Sequence, residues 1–342
     1  MKATDTAKHT TLPENMRAIV LMAPNEQMLL GDMTINLPEC QHNELLVKVE
    51  YVGLNPLDAQ YAKAGFPQWQ YPHVLGLDAV GTVVQAPKGV FPNVGSRVMW
   101  HASLDEQGVL SEYAKVANYA VTIVPDGVEP QQAAALPCAG MSALIALNKL
   151  QISEGDSVFI EAGAGAVGQF AIQFAKQRGA DVFTTASKTH HKFLKCLGAD
   201  FVFDYQDKKL CEKIYRELGP QGFDAVIDTI GGSNTARNIE LMRFCGRIAC
   251  LQPLPELEPT LLFKKAPNIS IVSLGGAWLA NSLCAQQHMG FMSNLLLESV
   301  ANSSIQVPTI KLIKFSANQV ASALNMQLAG GFSGKQVVKV AS

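Results

Sequence analysis

The chain has 342 residues, 48% of them apolar and 16% charged, and its 27 basic and 29 acidic side chains leave a formal charge of −2. That length suits about two domains, the apolar share excludes wholesale disorder, and the near-neutral balance argues against a nucleic-acid partner held by bulk charge. The seven cysteines are scattered, with no C-x-x-C pair, which argues against a disulfide framework and suits a reducing, cytoplasmic setting.

Residues 1–15 read as a flexible leader. Lys2–Glu14 is polar and lacks the apolar stretch of a signal peptide. Short strands follow. Met16–Met22 is an apolar run, Glu44–Val52 alternates over Leu46, Lys48 and Glu50, and Ala79–Val84, Arg97–Trp100 and Val121–Val124 are further strands broken by proline and glycine. Strands at this spacing predict a barrel or a distorted sandwich. The run Ala133–Leu147 is too short for a membrane span and contains Pro137. The pattern then changes. Ala139–Leu150 reads as a helix, and from Gly155 strands and helices alternate. The strands are Ser157–Ile160, Asp181–Thr184, Asp200–Phe203, Phe223–Ile227, Gly246–Leu251 and Ile269–Ser273. The helices are Ala166–Arg178, Thr189–Leu197, Lys208–Leu218 and Thr235–Phe244. Apolar strands between amphipathic helices predict an α/β, doubly wound parallel sheet covered on both faces. From Ile310 to Val340 the chain reads as β again, and its last strand is expected to return to the first domain.

Between the first strand and helix of this alternation lies Glu161-Ala-Gly-Ala-Gly-Ala-Val-Gly168, with Gly163, Gly165 and Gly168 in G-x-G-x-x-G register. The first glycine permits a tight turn, the second a close approach of backbone to a pyrophosphate, and the third close packing of helix on strand. The helix N-terminus then offers free N–H groups to phosphate. Dinucleotide binding is the reading, against an empty glycine-rich turn. At the end of the second strand no acid stands to hold a ribose 2′-hydroxyl. Ser187, Lys188 and Lys192 are there instead, and a hydroxyl with ammonium groups suits a 2′-phosphate. NADPH is therefore expected, the alternative being that the lysines form only a solvated helix face.

Taken in order, these stretches resemble the medium-chain dehydrogenase/reductase superfamily, in its zinc-free quinone oxidoreductase group. The likeness is carried by Gly53-Leu-Asn-Pro-Leu-Asp58, Val74-Leu-Gly-Leu-Asp-Ala-Val-Gly81, Gly95-Ser-Arg-Val98 and Ser111-Glu-Tyr113. It continues through Ala133-Ala-Ala-Leu-Pro-Cys-Ala-Gly140, the glycine loop, Leu197-Gly-Ala-Asp200, Phe223-Asp-Ala-Val-Ile-Asp228, Gly246-Arg247 and Gly334-Lys-Gln-Val-Val-Lys339. It covers about Met16 to Val340. The resemblance implies a GroES-like, β-rich catalytic domain from residues 16–138 and 290–342, a Rossmann dinucleotide-binding domain over 139–289, a cleft between them, and a homodimer through an edge strand near Ser270–Ser273.

The zinc-dependent branch has a cysteine ligand where Asn55 stands and Gly-His-Glu where Gly76-Leu77-Asp78 stands. Leucine cannot ligate, so no metal is expected, and Cys138 reads as a packed thiol. Without a Lewis acid, hydride transfer to an already electrophilic acceptor is the accessible chemistry: a quinone, or an alkene conjugated with a carbonyl. The resemblance places Asn55 beside the nicotinamide ribose and the substrate. Tyr61 is a candidate hydrogen-bond or proton donor, or else an amphipathic surface tyrosine. Asp58 is a candidate for orienting its loop. Trp69 and Trp278 are possible pocket walls, or plain core. The resemblance further puts Ala164, Ala166 and Val167 of the glycine loop on the cofactor, Ser142 near the nicotinamide, Tyr205 near the adenosine phosphate, and Leu251, Leu274 and Gly275 near the nicotinamide ring. An NADPH-binding sensor or moonlighting protein with little catalysis is the alternative of a different class. Neither a membrane nor a nucleic acid is an expected partner.

Overall fold

The computed structural model describes residues 12–340. Most of the expected leader lies outside them, and the first strand begins at Asn15.

Two main sheets divide the chain. The six-stranded one is parallel and runs Phe201–Asp204, Asp181–Ala186, Ser157–Ile160, Phe223–Asp228, Met242–Cys250, Asn268–Ile271. Its order reverses between Ser157–Ile160 and Phe223–Asp228, the switch point at which such sheets open a crevice beyond their strand ends. Helices cover both faces. Under one face Phe159 stacks on Phe223 and Phe183 meets Phe223 edge-on, and Phe170, Ile172 and Phe174 fill the other from the helix Ala166–Gln177. This is the doubly wound sheet the alternation predicts.

The second sheet is mostly antiparallel and joins both ends of the chain. Lys335–Lys339 pairs antiparallel with Glu44–Gly53, setting Val337 against Gly53, and parallel with Ile310–Lys314. Asp78–Gln85 lies on the other side of Glu44–Gly53, followed by Arg97–His101 and Val121–Ile123. A three-stranded sheet of Leu30–Asn36, Asn15–Leu21 and His73–Val74 closes one end. The tail thus returns as expected, but it is not all β: Ala317–Ala329 is a helix. Further helices have no counterpart in the sequence reading, and two of them bear on the site and the domain joint. Pro56–Ala64 begins at Asn55, and Leu283–Ala301 runs across the expected joint at 289/290. No helix among the described residues is long and apolar enough to cross a membrane.

Candidate active-site cleft

The glycine loop follows the apolar strand Ser157–Ile160 directly. A Cβ on Gly163 would lie 2.2 Å from Thr184 Oγ1, and one on Gly168 2.5 Å from the Ala162 carbonyl. These two glycines are fixed by packing. Gly165, which caps the helix Ala166–Gln177, is different: an added Cβ would meet only the Ala162 carbonyl, at 3.3 Å. On the side where a Cβ would point it is therefore open to approach from outside, as a pyrophosphate at a helix N-terminus requires, while its backbone bridges to Gly334. The loop therefore fits a dinucleotide.

The other residues expected around the cofactor follow the ends of the parallel strands, on one edge of the sheet. Ser187 succeeds Asp181–Ala186, with its hydroxyl 3.0 Å from that of Thr189. Lys188 is exposed, its ammonium 3.9 Å from Asp204 Oδ2, and Lys192 is exposed on the next helix. Tyr205 follows Phe201–Asp204 and is 53% exposed. Leu251 follows Met242–Cys250, half-buried, while Leu274 and Gly275 follow Asn268–Ile271 and are buried. Ser142 is buried one turn after Cys138 on the helix Pro137–Lys149.

Flanking the switch point are two carboxyls that sequence reading passed over. Glu161 ends one strand and Asp228 the other. Burial and the adjacent Asp228 push Glu161 up to about 8, against the pull of its ion pair with Arg237. Asp228 is held by Ile230 and Gly231 N–H groups and the Thr235 hydroxyl.

On the β-rich side the helix Pro56–Ala64 starts with Asn55 as cap, Pro56 at its first position and Asp58 accepting the Asn55 N–H at 2.7 Å. Proline pre-sets the first turn and a carboxylate at the third position answers a free N–H. Asn55 and Asp58 are each 2% exposed. Burial pushes Asp58 up to about 7, although the Asn55 N–H and Lys335 pull the other way. Tyr61, one turn on, is half-buried and packs edge-on to Phe66 and Trp69. Trp69 stacks on His73 at 3.9 Å and donates its indole N–H to the Leu104 carbonyl. Burial lowers His73 to about 4. A cavity of about 10 Å³, bounded by Asp58, Tyr61, Trp69 and His73, has room for about one water.

The centre of this side is Asp78, which the sequence reading noted only for the leucine before it. Its Oδ1 lies 2.7 Å from His101 Nδ1, and its Oδ2 accepts from Asn55 Nδ2 at 2.9 Å and from Lys335 Nζ at 3.2 Å. The Cys138 N–H reaches both oxygens, at 3.2 and 3.1 Å. Burial alone would raise Asp78, but the Lys335 ammonium and the His101 hydrogen bond hold its carboxyl below the usual range. Lys335 also donates to Asn55 Oδ1, so the amide expected to face the ribose has both ends engaged inside the protein. Cys138 is raised well above an ordinary thiol, first by burial and then by Asp78. No spacing in the sequence links Asp78, His101 and Lys335; only the folded sheet brings them together.

The two sides meet. Ser333 Oγ and Gly334 N donate to the Ala164 carbonyl of the glycine loop at 3.0 and 3.4 Å, and the next residue is Lys335. Gln60 bonds Gln252 at 3.3 Å, and Gly275 abuts Leu104 so closely that a Cβ would lie 2.3 Å from its side chain.

The chain is similar to known proteins over both of its sheets. The family model described as an alcohol dehydrogenase GroES-like domain matches residues 41–126, and that described as a zinc-binding dehydrogenase matches 166–289. A trans-enoyl reductase of Aspergillus terreus is 34% identical over 224 residues, 60% of this chain and 73% of that protein. The NADPH-dependent alkenal/one oxidoreductase (chloroplastic) of Arabidopsis thaliana is 28% identical over 263 residues, 73% of this chain and 66% of its own length. The solved quinone oxidoreductase of Coxiella burnetii superposes with a TM-score of 0.82 at 28% identity, covering 96% of this chain and 100% of that one. The β-rich part is accordingly GroES-like and the parallel sheet Rossmann-like, and the family implies oxidoreductase chemistry with a nicotinamide cofactor. By motif order, fold and relatives together, the chain belongs to the medium-chain dehydrogenase/reductase superfamily, in its quinone oxidoreductase-like group.

Proposed function

We propose that the chain is an NADPH-dependent reductase of quinones or of alkenes conjugated with a carbonyl, working without a metal ion. The observation that carries this reading is the junction at Gly334-Lys335, where a glycine-cradled helix N-terminus meets a polar cluster whose cation is an ammonium. The names of the relatives, enoyl, alkenal/one and quinone reductases, support the acceptor class.

In this reading the pyrophosphate is held by Gly163, Ala164, Gly165, Ala166, Val167 and Gly168, whose N–H groups at the helix start favour an anion. Ser187, Lys188 and Lys192 take the 2′-phosphate and Tyr205 lies along the adenosine. Ser142, Leu251, Leu274 and Gly275 shape the nicotinamide side. When bound, the reduced nicotinamide supplies the hydride. Asn55 sits at the border of the ribose and the acceptor, Asp58 fixes the helix start that presents it, and Tyr61 donates a hydrogen bond or proton through its Oη to the oxygen that gains charge. Burial raises the Tyr61 phenol, so the proton stays on it until that oxygen needs it. The same reading makes the protein a cytoplasmic homodimer paired at the open edge strand Asn268–Ile271.

The test is initial-rate kinetics with a panel of quinones and enones. NADPH should exceed NADH in kcat/KM by at least about tenfold, as a dianion with hydroxyl and ammonium partners allows. Lys192→Glu should weaken NADPH selectively. Preference for NADH refutes the cofactor assignment, and tight NADPH binding with no turnover on any acceptor refutes the enzyme in favour of a sensor.

A further inference from the structure

The family model over residues 166–289 is described as a zinc-binding dehydrogenase, and the described residues offer one place for such an ion. Among the described residues, Asp78, His101 and Cys138 alone bring three ligand atoms within 4.8 Å of one another. One sulfur, one imidazole nitrogen and one carboxylate oxygen form a donor set that a borderline-soft divalent ion accepts. Asp78 and His101 are fully buried, and His101 Nε2 has no hydrogen-bond partner among the described residues.

Yet the place is already held. Lys335 Nζ stands 3.2 Å from Asp78 Oδ2, with the lysine side chain 3% exposed. A carboxylate offers about four lone-pair sites. Those of Asp78 are committed to His101, Asn55, the Cys138 N–H and Lys335. A divalent ion would have to take one of these sites and stand beside an ammonium, in surroundings where like charges repel strongly. The backbone secures the lysine. Gly53 lies against its stem, so that a Cβ there would come within 3.2 Å of Lys335 Cε and 2.2 Å of the Ala134 carbonyl. The Gly334 N–H tethers the start of its strand to the glycine loop.

We propose that the Lys335 ammonium is the built-in cation of this cluster, occupying by charge the site that Asp78, His101 and Cys138 would otherwise offer to a divalent metal, and fixing the Asn55 amide by taking its Oδ1. Lys335 is a positioning residue: it acts on Asn55 and Asp78 and touches no reacting atom. Its role toward Asn55 rests on the reductase reading. The exclusion of a metal does not, and the test reads that part alone.

Purified full-length protein is titrated with Co²⁺ and followed by its visible d–d bands and its thiolate-to-cobalt charge-transfer band. The unmodified chain should show neither. Lys335→Ala should bind one ion per chain with both bands, at least about a hundredfold more tightly, because the competing charge is gone. Adding Cys138→Ser should abolish the charge-transfer band. If Lys335→Ala fails to fold by far-UV circular dichroism, Lys335→Gln carries the same expectation. A thiolate–cobalt signature in the unmodified chain overturns the proposal. So does a folded Lys335 variant that binds no better than the unmodified chain. Neither result bears on whether the enzyme reduces quinones or enones.

Discussion

The glycine loop and the Asp78 cluster meet at Gly334-Lys335 and are built in opposite ways. The loop is six consecutive residues, and it works by lacking side chains: two glycines let strand, helix and turn close on one another, and a third leaves the backbone bare. The cluster is a crowd of polar side chains drawn from distant parts of the chain, with Lys335 and Asn55 separated by 280 positions. Burial stabilises the first directly, because nothing charged is desolvated. In the second, burial is unfavourable for each member alone and is tolerated only because the members compensate one another.

That contrast can be broken by experiment. The largest effect should come from Asp78→Asn, which leaves the Lys335 ammonium buried without its counter-charge and should cost about 3–5 kcal/mol, measured by urea unfolding. Replacing both partners with apolar residues of similar size, Asp78→Leu with Lys335→Met, should recover part of that loss, the remainder being the His101, Asn55 and Cys138 N–H groups left without their acceptor. An unchanged midpoint in Asp78→Asn would mean that the cluster is not held by charge.

Next is a pH effect at Asp58. Its carboxyl rises from an ordinary 3.8 to about 7 on folding. Between these values the folded chain keeps a proton that the unfolded chain has released, so this group's contribution to stability falls as pH rises from about 4 to about 7 and is level above. Asp58→Asn removes that dependence. The variant should therefore gain stability relative to the parent between pH 5 and pH 8, seen in unfolding midpoints at several pH values. A constant difference would show that Asp58 is already ionised in the fold.

The smallest effect sharpens the glycine side. Gly165→Ala should leave the melting temperature nearly unchanged and weaken dinucleotide binding by about tenfold, since it fills only the surface a pyrophosphate would use. Gly163→Ala, whose Cβ would sit 2.2 Å from Thr184 Oγ1, should lower stability as well. Equal loss of stability in both variants would make the loop purely structural.

Legibility followed the same divide. The strand predicted over Glu44–Val52 is Glu44–Gly53, and the helix predicted over Ala166–Arg178 is Ala166–Gln177. Both carry their period in a dozen residues or fewer. The helix Pro56–Ala64 was missed although its start signals were present in Asn55, Pro56 and Asp58, because nine residues with three buried positions make no strong stripe. The helix Ala317–Ala329 lies between the short strands Ile310–Lys314 and Lys335–Lys339, whose apolar alternation alone predicts β structure for the tail. Asp78 lies inside a stretch that carries the family likeness, and no neighbour in sequence marks it as the partner of His101 or Lys335. His101 ends a strand with nothing nearby to mark it, and Lys335 stands in a run whose neighbours argue only for β structure.

By itself, the sequence determined what near neighbours decide: alternation and helical periods, the glycine turn with the dinucleotide edge it implies, and the lack of the usual zinc ligands at Asn55 and Leu77. These follow from sterics and backbone hydrogen bonding within a few residues. Only the tertiary structure decided which buried charges share a site, that the Asn55 amide is engaged at both ends, and that an ammonium from the last strand stands among Asp78, His101 and Cys138. The physical reason is that a charge taken out of water must be answered by whatever the fold brings within about 3 Å, and that distance has no counterpart along the chain.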